Sequence, residues 1–237
     1  MRTDSDSFHA QSMPFFIDQT RRICREIQSL SYDEAKRLWK CNDKIAGENF
    51  ERFAEMDLER NLTPAVFSYD GLLYRNMAPG VFSDSELEYI GSNLYILSAF
   101  YGALRAFDGV VPYRLEMAAS LPIDDSQNLY QFWGDKLYKF ITADDNLIVN
   151  LASKEYSKAI TKYLSSDVKM ITCNFGYLEN GRIKQKATLA KMSRGEMVRY
   201  MAENNVIDPE QLKSYSRLGF SYNEELSDEN NFNFIFS

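Results

Sequence analysis

The segment NLIVNLASKEYSKAITKYLSSDVKMITCNF, Asn146 to Phe175, reads as strand, helix, strand. Asn146–Leu151 is a short apolar run of the buried-strand type, Lys158–Leu164 has helical periodicity, and Asp167–Phe175 returns to a strand pattern. Downstream, Glu179-Asn180-Gly181-Arg182 is a hairpin turn leading into a strand at Ile183–Thr188. At the far end Phe232, Phe234 and Phe236 alternate with Asn231, Asn233 and Ile235, the period of a strand with one face on a core. Strands so far apart in sequence predict a mixed sheet, and the rest of the chain supplies helices to surround it.

Upstream, Phe16–Leu30 is an amphipathic helix. Ser31-Tyr32-Asp33-Glu34 and Ser83-Asp84-Ser85-Glu86 are capping boxes, in which Ser and Glu satisfy each other's backbone donors. The second is expected to open a long helix running through Leu97 and Phe100 to Leu104. Between the first box and a helical pattern at Asn49–Met56, Gly47 is expected to form a hairpin. Thr63–Tyr74 is strand-like, broken by the turn dipeptide Asp70-Gly71. Ser193-Arg194-Gly195-Glu196 is expected to cap a helix, and Asp208-Pro209 to start a last short one. The fold class is therefore α+β: one domain over residues 1–237, with residues 1–14 an irregular leader.

Composition narrows the function. Apolar residues make up 45% of the 237, and sixteen Phe and fifteen Tyr supply an aromatic core. No stretch of eighteen apolar residues exists, so no membrane span is expected, and the polar start MRTDSDSFHAQS lacks a signal core. Cys24, Cys41 and Cys173 are scattered, which fits reduced thiols in a cytoplasm. One histidine, His9, leaves no basis for a zinc site or a Ser-His-Asp triad, and no metal or cofactor is expected. The net charge of −7 opposes a strong nonspecific grip on DNA. The charge is uneven, however: Arg182 to Arg199 holds six basic residues against Glu196 alone. A local basic surface can coexist with an acidic protein.

Five groups of residues could carry chemistry. In an extended Tyr113-Arg114-Leu115-Glu116, Arg114 and Glu116 point to one face, where they pair or jointly contact a ligand. In Tyr130-Gln131-Phe132-Trp133-Gly134-Asp135, Trp133 reads as core. Asn150-Leu151-Ala152-Ser153-Lys154-Glu155-Tyr156 follows an apolar strand, and such a junction offers backbone N–H groups to an anion; a merely capped helix reads the same. Ala190-Lys191-Met192-Ser193-Arg194-Gly195 is the best candidate, with Lys191, Arg194 and a helix dipole adding their attraction for an anion. Lys44-Ile45-Ala46-Gly47-Glu48-Asn49 matches a helix-hairpin-helix, whose glycine hairpin would present N–H groups to a DNA phosphate; an ordinary helical hairpin reads the same. No P-loop or dinucleotide glycine fingerprint is present.

The order of these words resembles the YaaA family of bacterial peroxide-stress proteins. They are Asp43-Lys44-Ile45-Ala46-Gly47, Leu97 to Arg105, Tyr113 to Met117, Tyr130 to Asp135, Asn150 to Ser153, and Ala190-Lys191 with Arg194-Gly195. The resemblance implies a cytoplasmic protein of the oxidative-stress response, linked to iron homeostasis, on an unusual α+β fold. It implies DNA binding through a basic cleft and a helix-hairpin-helix-like element. By position Lys44, Gly47 and Asn49 would be that hairpin, and Arg105, Arg114, Lys191 and Arg194 would line the cleft. Ala99, Ala106 and Met192 depart from the family's usual Gly, Pro and Lys. The family also implies an apolar strand and a Ser-Pro-Ala-Lys word ahead of Arg2, expected to add a strand to the sheet. The alternative is an enzyme for a small anionic substrate, with Tyr113, Glu116 and Ser153 as further polar residues of the same cleft and Lys191 or Glu116 moving a proton.

Overall fold

The computed structural model describes residues 1–3 and 8–236. Its first elements are helices α1 (Ile17–Ser29), α2 (Tyr32–Trp39) and α3 (Asp43–Ala54), strand β1 (Thr63–Pro64), and helices α4 (Ala65–Ser68), α5 (Leu72–Met77) and α6 (Asp84–Asn93). Strands β2 (Tyr95–Ser98), β3 (Gly102–Arg105) and β4 (Gly109–Val110) follow, then α7 (Leu129–Trp133) and α8 (Lys136–Ile141). Next come β5 (Leu147–Asn150), α9 (Lys154–Thr161), β6 (Lys169–Glu179), β7 (Arg182–Lys184) and α10 (Ala187–Glu203). Strands β8 (Ser216–Arg217), β9 (Phe220–Tyr222) and β10 (Asn231–Phe236) close the chain. The elements gather into two compact units, one of Met1–Ser68, Tyr95–Ile141 and Lys154–Leu164, the other of Tyr69–Leu94, Thr142–Ser153 and Ser165–Ser237.

The second unit contains the mixed sheet, in the order β5-β6-β10-β9-β8, with β7 paired to β6. β5, β6 and β10 run parallel and the remaining pairs antiparallel. Period-two alternation sends Ile171, Cys173 and Phe175 of β6 and Phe232 and Phe234 of β10 to one face, where Ala190 and Met197 of α10 join the same core. Phe175 stacks on Phe234 with ring centres 5.2 Å apart, and each such ring stabilises the fold by roughly 1.5–3 kcal/mol on burial. Asn233 is buried as well, because β10 is an inner strand; its amide donates to the Leu226 carbonyl and its backbone N–H to Ser227 Oγ at 2.9 Å. At the β6–β7 turn Asn180 and Gly181 both have positive φ, 52° and 72°, as a two-residue hairpin of this hand requires.

In the first unit α1 buries Ile23 and Ile27, and Thr20 Oγ1 donates to the Phe100 carbonyl at 3.1 Å. Trp133 is fully buried, as its sequence context predicts, with its indole N–H donating to the Ala99 carbonyl at 3.0 Å.

Several expectations are corrected. Gly47 forms no hairpin: α3 starts at Asp43, Asn42 caps it by accepting the Ile45 N–H at 3.0 Å, and the helix runs through Gly47. The turn between α2 and α3 lies earlier, where Lys40 takes a left-handed φ of 47°. The helix from Ser83 stops at Asn93, and Tyr95–Arg105 is a hairpin instead. Ser98 Oγ closes that turn by accepting the N–H of Phe100 at 3.2 Å and of Tyr101 at 2.8 Å. Thr63–Tyr74 keeps only two strand residues, and Asp70-Gly71 separates helices rather than strands. The strand expected at Ile183–Thr188 ends at Lys184, so Ser193–Glu196 lies inside α10 rather than at its start.

Candidate functional site

In the second unit β7 and the start of α10 carry a cluster of positive charge. Arg182, Lys184, Lys186 and Lys191 are exposed along β7 and the start of α10. Lys184 pairs with Glu179, and the Lys186 ammonium lies 5.2 Å from the centre of the Tyr177 ring. Among the described residues Arg182, Lys186, Lys191 and Arg194 make no ion pair. The first turn of α10 has no acidic residue and no side-chain cap, so its N–H groups and dipole add to the positive potential. The other half of the helix is balanced: Arg217 bonds Glu196 at 2.9 Å and Glu203 at 2.6 Å, and Arg199 bonds Glu203 at 2.7 Å.

Arg194 is half-buried, and burial alone pushes its guanidinium pKa down. Its Nε is buried with no hydrogen-bond partner, and so is Oγ of the fully buried Ser193 beside it. A buried donor left unmade costs about 1–3 kcal/mol, more for a charged group. The place of Arg194 comes from helix packing: at Gly195 the absent side chain lets α10 close on the backbone of α5.

In the first unit the residues with sequence signals divide into satisfied and unsatisfied groups. Asn49 is not available to a phosphate: its Nδ2 donates to the Ile45 carbonyl at 2.7 Å and its Oδ1 accepts Arg52 at 2.7 Å. Lys44 is exposed on α3. Arg105 lies over the Tyr95 ring at 4.4 Å and the Phe140 ring at 5.8 Å. Tyr113 shares a 2.7 Å hydrogen bond with Ser98 Oγ and stacks on Phe100 with ring centres 4.9 Å apart. Arg114 and Glu116 do approach, but at 3.7 Å between Nη2 and Oε1, and Glu116 is largely exposed. The buried Nε of Arg114 has no partner.

Two residues of the junction word after β5, read from sequence as an anion site, instead hold this loop. Glu155 accepts the Ala118 N–H at 3.0 Å, and Tyr156, whose phenol burial pushes its pKa up, is hydrogen-bonded to the backbone of Met117. Both stand in the first turn of α9, and nothing in their spacing announces a partner near residue 117. Ser153 sits in the second unit just after β5, where Asn150 Oδ1 has already taken the Ala152 N–H at 3.1 Å. Thus Tyr113, Arg114 and Glu116 are brought together in one unit, and Lys191 and Arg194 on one helix of the other.

Among the described residues no cluster of three His, Cys, Asp or Glu side chains is arranged for a metal ion. No helix among them is long and apolar enough to cross a membrane.

The sequence model of the family described as "Peroxide stress protein YaaA" matches residues 1–226. A UPF0246 protein of Desulfitobacterium hafniense is 48% identical over 235 residues, 99% of this chain and 94% of that relative. One from Pediococcus pentosaceus is 50% identical over 235 residues, again 99% and 94%. One from Lachnoclostridium phytofermentans is 50% identical over 222 residues, 94% of this chain and 87% of its own.

Proposed function

Because the chain belongs to the peroxide stress protein YaaA family, we propose that it acts in peroxide stress by binding the phosphates of DNA in the cytoplasm. The observation that carries the reading is the run Arg182, Lys184, Lys186, Lys191 and Arg194, delivered by β7 and the uncapped start of α10, with a single carboxylate pairing within it. The exposed cations of this run, Arg182, Lys184, Lys186 and Lys191, match the spacing-tolerant recognition of a phosphate backbone. Three free thiols suit the reducing compartment.

Fluorescence anisotropy with a labelled duplex at two salt concentrations tests it. Affinity that weakens as salt rises is expected, since displaced counterions are the source of phosphate-driven binding. No binding even at low salt would remove the proposal.

A second reading has its own observation. The half-buried guanidinium of Arg194, which makes no ion pair, suits a small phosphate- or carboxylate-bearing molecule better than an exposed backbone. Millimolar inorganic phosphate that raises the melting temperature, together with no duplex binding, would favour that reading over DNA.

A further inference from the structure

Strand β6 outruns the sheet that holds it. β5 pairs with its residues Lys169 to Thr172 and β10 with Thr172 to Gly176, so Tyr177, Leu178 and Glu179 have only β7 beside them. There Tyr177 stands opposite Lys184, Leu178 opposite Ile183 and Glu179 opposite Arg182, and Asn180-Gly181 closes the turn. At the root, the absent side chain of Gly176 leaves room for Ile183. Beyond it the ribbon is exposed from Leu178 to Arg182. Glu179 is the only carboxylate from residue 177 to 195, and Lys184 pairs with it. Among the described residues the side chains of Asn180 and Arg182 have no hydrogen-bond or ion-pair partner. Lys186 and Lys191, also exposed, follow behind the ribbon.

We propose that the β6–β7 hairpin enters the major groove of duplex DNA, with Asn180 and Arg182 at the base edges and Lys186 and Lys191 on the phosphates of the groove wall. Three paired residues per strand make the ribbon roughly 10 Å long, and two strands with their side chains make it roughly 10 Å across. The major groove of B-DNA is about 12 Å wide and about 8.5 Å deep and admits a two-stranded ribbon, whereas the minor groove, about 6 Å wide, does not. Asn and Arg side chains are the donors that major-groove acceptors of adenine and guanine take. With Glu179 neutralised by Lys184, no free carboxylate on the ribbon opposes the approach. This placement rests on the DNA reading and adds to it the form and the face of DNA bound.

Anisotropy at one low salt concentration, with two labelled duplexes of the same sequence, tests it: one plain, the other carrying glucosylated 5-hydroxymethylcytosine. The glucose fills the major groove and leaves the phosphates as they were. The unmodified protein should bind the glucosylated duplex at least about fivefold more weakly than the plain one, because groove contacts are lost. Arg182→Ala should weaken plain-duplex binding about 5- to 150-fold, leave the melting temperature unchanged and narrow the gap between the duplexes. Asn180→Asp keeps the turn, since Asp-Gly suits the same pair of positive φ angles, and should weaken the plain duplex more than the glucosylated one. Lys186→Ala, at a phosphate, should weaken both alike. Equal affinity of the unmodified protein for the two duplexes would overturn the hairpin placement and spare the DNA reading. So would an Arg182→Ala loss that is equal on both. Binding of neither duplex by the unmodified protein would remove the DNA reading itself, and the hairpin placement with it.

Discussion

A Cβ placed on Gly195 of α10 would lie 1.9 Å from the carbonyl oxygen of Leu73 in α5. No side chain fits there, and the obstacle is backbone, which cannot swing aside. The two helices therefore pack as closely as they do because residue 195 is glycine, and Arg194 is set into its half-buried place by the same contact.

Gly195→Ala is accordingly expected to destabilise the fold by about 2 kcal/mol or more, the scale of overpacking against atoms that cannot relax. Urea denaturation measures it. A loss under half that would mean that α5 shifts freely.

Gly47→Ala should do the opposite. Nothing lies within 4 Å of a Cβ at that position, and the residue is inside α3. Replacing a helix-interior glycine that has open space around its Cβ position by alanine stabilises by roughly 0.5–1 kcal/mol. A clear destabilisation would restore the hairpin that the sequence suggested.

The thiols should separate by burial. Desolvation pushes Cys24 up to about 11 and Cys173 up to about 12, so neither holds much thiolate at pH 8. Cys41 is the half-buried one. Iodoacetamide at pH 8 on the folded protein is expected to modify Cys41 well before the other two, as read by peptide mass mapping. Equal rates at Cys173 would contradict its place in the sheet core.

Asp108 gives a pH signature with a definite sign. Its buried carboxyl accepts Ser12 Oγ at 2.6 Å and the Arg105 N–H at 2.8 Å, and burial raises its pKa above the ordinary value. A carboxyl with a raised folded pKa contributes most stability below the unfolded pKa of about 3.9 and loses it as pH rises through the folded value. The stability difference between the unmodified protein and Asp108→Asn should therefore fall as pH rises across that window. Subtracting the variant cancels the opposite slope from carboxyls lowered by partners, such as Asp43 beside Lys36. A flat or rising difference would contradict the burial of Asp108.

The sequence carried the local signals well and the tertiary ones poorly. Ser31 with Glu34 and Ser83 with Glu86 cap their helices as the spacing indicates, since a capping box is satisfied within four residues. The strands at Leu147, Lys169 and Asn231 and the Asn180-Gly181 turn were legible because an apolar run or a two-residue turn declares itself locally. The end of α6 was not, because Tyr95–Ser98 continues a helical apolar pattern and only its pairing with Gly102–Arg105 makes it a strand. The start of α10 was misplaced for a related reason: Ser193 looks like a cap but is buried inside the helix, while Lys186, at the N-cap, offers no cap signal. At the candidate site the cations were visible by type. Which of them lack partners was not, because that depends on the sequence-distant Arg217 taking Glu196 and Glu203, carboxylates on the same helix as Lys191 and Arg194.

Lys191 is exposed and Arg194 is half-buried, so truncating them should differ. Lys191→Ala is expected to weaken DNA binding without moving the melting temperature. Arg194→Ala should weaken binding and also lower stability somewhat through lost packing of its aliphatic stem. Equal thermal losses from both would assign Lys191 a structural role.

The most direct measurement is the slope of log K against log salt for duplex binding, in the unmodified protein and in the double variant Lys186→Ala with Lys191→Ala. Both side chains are exposed, so the variant should fold normally. The unmodified protein is expected to bind with a negative slope, near −0.9 for each phosphate contacted. The variant should bind more weakly, with a slope shallower by about 2, one for each lost phosphate contact. A variant with the same affinity and slope as the unmodified protein would contradict the placement of DNA on the start of α10.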